Sequence, residues 1–185
     1  LLNSIETTQI AAAGDSWHDV ATLVDAPGHE QGQLIVDLDD VVMSADLLLS
    51  ISHTPQFPLW MAPHCGLAEH MVSLQRLQNL GPRRLLGGHG PILDDTQARC
   101  IEAIDGHEAT LHRICRALQT PRSIADLIRS FHKGQIRTVY YQLAIVEDLS
   151  AHVEYLASCG LLHHATPPAG ATIRQGAQLW QTSVD

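Results

Sequence analysis

Three short stretches of the sequence place a side chain that can bind a metal ion beside small residues, each after an apolar run. They are Ala26-Pro27-Gly28-His29, Ser44-Ala45-Asp46 and Gly88-His89-Gly90-Pro91. Imidazole nitrogen and carboxylate oxygen are ligands of borderline cations such as zinc, and flanking glycines clear space in front of an imidazole. Each stretch alone is more typical of a turn or a helix cap. Together, in this order, they predict metal ligation by His29, Asp46 and His89.

Motifs for other chemistries are weak or missing. The sequence has no Gly-x-Ser-x-Gly nucleophile motif. The string Gly87-Gly88-His89-Gly90 lacks the lysine of a P-loop and the spacing of a dinucleotide fingerprint, so nucleotide binding is not indicated. Metal chemistry is therefore the leading prediction.

The apolar pattern predicts strands in the front half of the chain. One hairpin is expected from residues 9–13 and 17–24 around Gly14-Asp15, and a second from residues 33–36 and 41–44. A short strand is predicted at residues 84–86, directly before the third stretch. Because strand ends that feed one site lie side by side, we expect the three candidate ligands to converge on one sheet edge.

Helices dominate the remainder. A Pro-rich irregular loop is expected at residues 50–63, then a helix at 67–80 that ends before Gly81-Pro82. Three more helices are predicted, a long one capped by Asp94 or Asp95, a shorter one from 123 to 131 and a third from 138 to 158. We accordingly divide the chain into residues 1–100, a helical extension at 101–166 and a tail at 167–185.

Composition limits the class of protein. The 185 residues are 45% hydrophobic, and the longest apolar stretch, residues 41–51, is interrupted by Asp46, so no membrane partner is expected. The net charge is −9, and residues 1–100 hold four arginines against twelve acids, so a polyphosphate there would need metal ions. Four cysteines without a Cys-x-x-Cys pair indicate a reducing compartment, and we predict a cytoplasmic location. The first residues lack a signal-peptide pattern and an initial Met, which suggests a processed or truncated piece.

The three stretches resemble the second half of the metallo-β-lactamase superfamily, in which Ala/Thr-Pro-Gly-His, Ser-Gly-Asp and Gly-His-Gly elements follow in this order. The resemblance spans roughly residues 17–162, and position 45 is Ala where the family usually has Gly. It implies an α/β fold class, namely the C-terminal half of an αββα sandwich followed by a helical winged-helix-like module. It also implies that His29 ligates the first metal, that the catalytic carboxylate of Asp46 bridges both, and that His89 ligates the second.

One family motif is missing from the sequence. His-x-His-x-Asp-His, which supplies the family's other ligands, does not occur, and Trp17-His18-Asp19 is not a version of it. The family holds two zinc ions per complete site. Since tight zinc sites take three or four protein ligands, we expect weak or absent zinc in this chain, and no activity from it alone.

The resemblance implies metal-assisted hydrolysis of a small-molecule ester, thioester, lactone or amide, in which the metal ions lower the pKa of a bound water to about 7. The alternative is a nucleic-acid-binding protein or nuclease of the same superfamily. It is less favoured because residues 107–166 hold six basic and five acidic residues and no basic stripe. A non-catalytic scaffold or dimerisation module is the third hypothesis.

Two further expectations concern other residues. His53 and His64 border the Pro-rich loop and could face substrate. His107 and His112 are expected to be solvated or packing residues. His163-His164 is expected to form a turn or short wing. A half sandwich would leave one sheet face bare, so we predict a two-fold homodimer through this face. The apolar residues expected on it are Ile10, Leu23, Leu34, Val36, Val41 and Met43.

Overall fold

A five-stranded sheet forms the first part of the fold. The structure is a computed structural model, and it describes residues 12–17, 19–132, 138–166 and 178–183. The strands lie in the order β1-β2-β3-β4-β5. Their bounds are β1 Ser16–Trp17, β2 Ala21–Asp25, β3 Leu34–Asp37, β4 Val41–Ala45 and β5 Arg84–Gly87.

The second predicted hairpin is confirmed, and the first is displaced. β3 and β4 pair antiparallel with Val36 opposite Met43. The turn predicted at Gly14-Asp15 for the first hairpin is wrong: the chain reverses between Trp17 and Ala21, which pair with each other. Gly14 and Asp15 instead continue the pairing of β1 with β2, because the Gly14 amide donates a hydrogen bond to the Leu23 carbonyl and the Asp15 carbonyl accepts one from the Leu23 amide. Residues 9–11 of that prediction lie outside the described part of the chain.

One face of the sheet is covered by two helices. The predicted helix over 67–80 is confirmed as α1, Leu67–Asn79, and α2 runs over Thr96–Ala117 with the Asp95 side chain accepting a hydrogen bond from the Ala98 amide. Side chains alternate between the two faces of a strand, so every second residue points to these helices. The core of this part consists of Ala26, Ile35, Val42, Leu47, Leu48, Leu74, Leu77, Leu85 and Cys100.

Strand direction places the three candidate ligands. β2, β3 and β4 alternate in direction, and β5 is parallel to β4. β2, β4 and β5 therefore run the same way and end at the same edge of the sheet. His29, Asp46 and His89 follow these three strands in turn.

A helical part follows. The other two predicted helices are confirmed as α3, Ile124–His132, and α4, Val139–Ser158, and a two-stranded sheet pairs β6, Leu162–His164, with β7, Trp180–Thr182. A second core includes Ile114, Leu118, Leu127, Leu149, Val153 and Leu156. α2 contributes Cys100 to the first core and Ile114 to the second, so one continuous helix crosses the predicted division at residue 100.

Helix length and hydropathy bear on the membrane question. Within the described ranges, none of the helices combines the length and the apolar character needed to cross a bilayer.

Candidate metal site

Asp46 is presented by a sharp turn at the end of β4. Ala45 has φ +47°, in the left-handed region where residues other than Gly, Asn and Asp are strained. The Ala45 carbonyl accepts a 2.7 Å hydrogen bond from the Gly88 amide, which joins the end of β4 to the loop after β5. The left-handed backbone at position 45 explains why the metallo-β-lactamase superfamily, which the three stretches resemble, usually has Gly there.

The structure brings the three predicted ligands together. Nε2 of His29 lies 4.0 Å from Oδ2 of Asp46, and Nε2 of His89 lies 3.7 Å from the same oxygen. The expected convergence on one sheet edge is therefore observed. The side chain of His89 is 76% exposed, whereas that of His29 is 19% exposed. The site thus opens to solvent on the His89 side.

A hydrogen bond fixes the tautomer of His29. Nδ1 of His29 lies 3.1 Å from the carbonyl oxygen of Pro55, which can only accept, so Nδ1 donates. In the neutral imidazole, Nε2 is then left with a free lone pair, and this nitrogen faces Asp46. Metal-binding histidines commonly carry such an outer hydrogen bond. Pro55 lies in the Pro-rich loop, and no sequence signal pointed to this contact.

Two glycines keep space for the site. A methyl group added at Gly88 would overlap Oδ1 of Asp46. One added at Gly28, whose φ is +137°, would overlap the backbone of His70 in α1. Glycine at these positions lets Asp46 approach the third stretch and lets the loop carrying His29 pack against α1.

The donor set fits a borderline divalent cation, in an arrangement slightly wider than a bound ion requires. Two imidazole nitrogens and one carboxylate oxygen suit zinc, and tetrahedral ligands around zinc lie about 3.4 Å apart. The observed 3.7 and 4.0 Å would shorten by a few tenths of an ångström. In keeping with this, no group of three or more His, Cys, Asp or Glu side chains in the described ranges is already arranged to hold a metal ion.

Carboxylates of α4 hold the Pro-rich loop next to the site. Oδ1 of Asp148 accepts a 3.0 Å hydrogen bond from the Gln56 amide, and Oε2 of Glu154 accepts one of 2.6 Å from the Leu59 amide. The helical part of the chain thereby positions the loop whose Pro55 carbonyl orients His29.

A second cluster of histidines lies between the two parts of the chain. His70 and His107 are each 1% exposed and His152 is fully buried. Nδ1 of His107 lies 3.1 Å from Nε2 of His152, and Nδ1 of His152 lies 2.7 Å from the Asp148 carbonyl oxygen. Since that carbonyl can only accept, His152 donates from Nδ1 and His107 donates to its Nε2. His53 packs on His107 with ring centroids 4.6 Å apart, and its Nε2 is 3.1 Å from Oδ1 of Asp148.

Burial keeps the imidazoles of His70, His107 and His152 neutral. Desolvation and neighbouring imidazoles lower the pKa of His70 to about 3 and that of His107 to about 2. Burial also lowers the pKa of His152, against the opposing charge of Asp148. Burial would raise the pKa of Asp148, but the hydrogen bond from His53 and the nearby imidazoles lower it overall.

The other histidines and the cysteines occupy varied positions. His107 is buried in the cluster, whereas His112, on the same helix, is exposed. His53 joins the cluster, and His64 is exposed with φ +68°. His163 and His164 lie in β6, where His164 packs on Trp180. All four cysteines are free thiols.

The cluster of His70, His107 and His152 was missed by the sequence analysis because its members lie far apart in sequence, although twelve histidines in 185 residues are an unusual number.

No protein-family model and no curated protein sequence matches the chain. Solved structures do match. A metallo-beta-lactamase family protein from Thermus thermophilus superimposes with a TM-score of 0.65 at 23% identity, covering 88% of this chain and 49% of that one. A beta-lactamase domain protein from Burkholderia ambifaria superimposes with a TM-score of 0.82 at 20% identity, covering 98% of this chain and 54% of that one. The chain spans about half the length of these two structures.

A further match was solved in a di-iron-bound form, but its TM-score of 0.41 is too low to inform the metal of this chain. The two larger overlaps, both under 25% identity, confirm the resemblance given by the motifs at the level of the fold. The chain therefore has the fold of part of a metallo-β-lactamase superfamily protein.

Proposed function

We propose that this chain carries one half of a metal-dependent hydrolase site, with His29, Asp46 and His89 as metal ligands. The observation that carries the proposal is their convergence, with both Nε2 atoms within 4.0 Å of one carboxylate oxygen. The fold shared with metallo-β-lactamase proteins supports the same assignment. The substrate would be an ester, thioester, lactone or amide. Water adds to its carbonyl carbon, and the bond to the leaving oxygen, sulfur or nitrogen breaks to give a carboxylic acid.

Each ligand has a defined task in this proposal. When bound, zinc supplies Lewis acidity and lowers the pKa of water. His29 offers Nε2 because Nδ1 is occupied by the Pro55 carbonyl. Both imidazoles approach Oδ2 of Asp46, so its carboxylate would be the ligand shared by metal ions held at His29 and at His89. His89, the most exposed of the three, borders the entrance for substrate.

The finer assignments of the helical part belong to the same proposal. Three helices followed by a two-stranded sheet support a winged-helix-like module. Its role would be to hold the Pro-rich loop through Asp148 and Glu154.

The proposal can be tested by ligand binding rather than by turnover, which we expect to be absent or very low in this chain alone. Zinc held only by residues among His29, Asp46 and His89 would have fewer than four protein ligands and would keep an open coordination position, whereas a structural zinc does not. Acetohydroxamic acid, a neutral metal chelator, is therefore expected to bind the zinc-loaded chain in calorimetry and not the zinc-free chain.

The matched variants are Asp46→Asn and Asp40→Asn, the latter an exposed carboxylate in the turn between β3 and β4. Asp46→Asn should weaken hydroxamate binding at least about tenfold, as changes around metal ligands commonly do. Asp40→Asn should leave it unchanged. If hydroxamate fails to bind the zinc-loaded chain, or binds both variants equally, this is not a hydrolase site.

A further inference from the structure

A cleft beside the three ligands is walled by one face of α4. Its volume is about 460 Å³, within the roughly 300–1,000 Å³ common for small-molecule sites. α4 contributes Tyr140, Leu143, Ala144 and Glu147. These positions are spaced as i, i+3, i+4 and i+7, which places them on one stripe of the helix. Leu49, Pro55 and Phe57 also line the cleft.

The apolar residues of this stripe are not needed for the core. Ile145 and Leu149, on another side of α4, are buried in the second core. Tyr140 is 83% exposed and Leu143 is 55% exposed. Large apolar side chains that stay in water next to a cleft are typical of ligand-binding surfaces. Packing therefore leaves these two free to contact a ligand.

The charges of the cleft restrict the ligand. Among the described residues that line it, none is Lys or Arg, and Asp46 and Glu147 are acidic. Nucleic acids and other phosphodiesters are bound mainly through cationic side chains. Apart from the three proposed metal ligands, the charged residue that lines the cleft is Glu147, so an anionic group would meet a carboxylate here, whereas an uncharged apolar group would meet Tyr140, Leu143 and Phe57.

We propose that this cleft binds the uncharged, apolar acyl group of an ester or thioester, and that Tyr140 and Leu143 set the preferred acyl length. This deepens the proposed function and rests on it only for placing the carbonyl at the three ligands. Binding of the acyl group itself needs no metal ion.

The test uses the full 185-residue chain without metal and two uncharged probes, the acetyl and octanoyl thioesters of N-acetylcysteamine. Each methylene buried in an apolar cleft should strengthen binding about fourfold, so octanoyl should bind far more tightly than acetyl in calorimetry. Leu143→Gln should weaken octanoyl binding at least about tenfold and leave acetyl binding unchanged. The matched control is Val146→Gln, which alters a partly exposed apolar residue of α4 outside the cleft and should change neither.

Three results would overturn the proposal: equal affinity for both thioesters, equal effects of the two variants, or salt-dependent binding of single-stranded RNA that Leu143→Gln weakens. Failure of the proposed function is recognised separately. If octanoyl thioester binds but hydroxamate binding does not depend on zinc, the acyl cleft is supported and the hydrolase function is rejected. If hydroxamate binding depends on zinc but octanoyl thioester does not bind, only the acyl cleft is rejected.

Discussion

Lowering the pH from 6.5 to 4.5 is expected to destabilise the chain by about 5 kcal/mol, because His70 and His107 must gain protons on unfolding. Their pKa values in the fold are about 3 and about 2, against 6.5 for a free imidazole. The stability is therefore fully present above pH 6.5 and is lost as the pH falls towards the folded values. Each group contributes a slope of about 1.4 kcal/mol per pH unit. A loss of this size is comparable to the roughly 5–15 kcal/mol that holds a typical domain together.

Urea unfolding followed by circular dichroism over this pH range measures the slope. His107 faces His53, His70, His152 and Asp148, and the adjoining cavity is also lined by Arg99 and Glu102. His107→Leu should reduce the slope by about 1.4 kcal/mol per pH unit, the share of one group. His112→Leu, an exposed histidine of the same helix, should leave the slope unchanged. A slope in His107→Leu equal to that of the unsubstituted chain would show that His107 is not held neutral.

The 185-residue chain is expected to form a two-fold dimer through the sheet face opposite α1 and α2. Leu23, Val36, Met43 and Leu86 are cross-strand neighbours and form one apolar row on this face. Met43 is 45% exposed. Two sheets packed face to face lie about 10 Å apart, and such packing would remove the row from water. Light scattering should give about twice the 20.2 kDa of one chain.

Charged substitutions distinguish this face from the rest of the surface. Met43→Lys should shift the chain to a monomer, because a dimer would have to bury the new charge. Val72→Lys is the matched control, since Val72 is 43% exposed but lies on α1. A monomer of the unsubstituted chain, or equal effects of the two substitutions, would contradict this interface.

Local signals in the sequence were enough to predict the sheet edge that carries the site. Turn residues and the alternation of apolar and polar residues predicted β3, β4 and β5. Helix-capping residues, together with Gly and Pro at helix ends, predicted α1 to α4. The convergence of His29, Asp46 and His89 could be predicted because each follows a strand within a few residues. Strand direction then decides which edge they share.

The missed features depend on contacts between segments distant in sequence. The turn after β1 was misplaced because Gly14-Asp15 is a strong local turn signal, yet pairing with β2 carries the chain past it. The His70, His107 and His152 cluster joins α1, α2 and α4, and no periodicity marks it. The α4 wall of the cleft likewise becomes visible only when the helical part packs beside the sheet.

The most direct test of the metal site is a zinc titration followed by long-range ¹H–¹⁵N NMR of the histidine side chains. The twelve imidazoles report separately, and each nitrogen that binds zinc changes its shift. Zinc is added to saturation, because a site with three ligands from this chain is expected to be weak. Coordination shifts are then expected at Nε2 of His29 and of His89, lost in Asp46→Asn, with the cluster of His70, His107 and His152 unchanged. Zinc that first shifts the buried cluster, or that leaves both His29 and His89 unaffected at saturation, would contradict the proposed metal site.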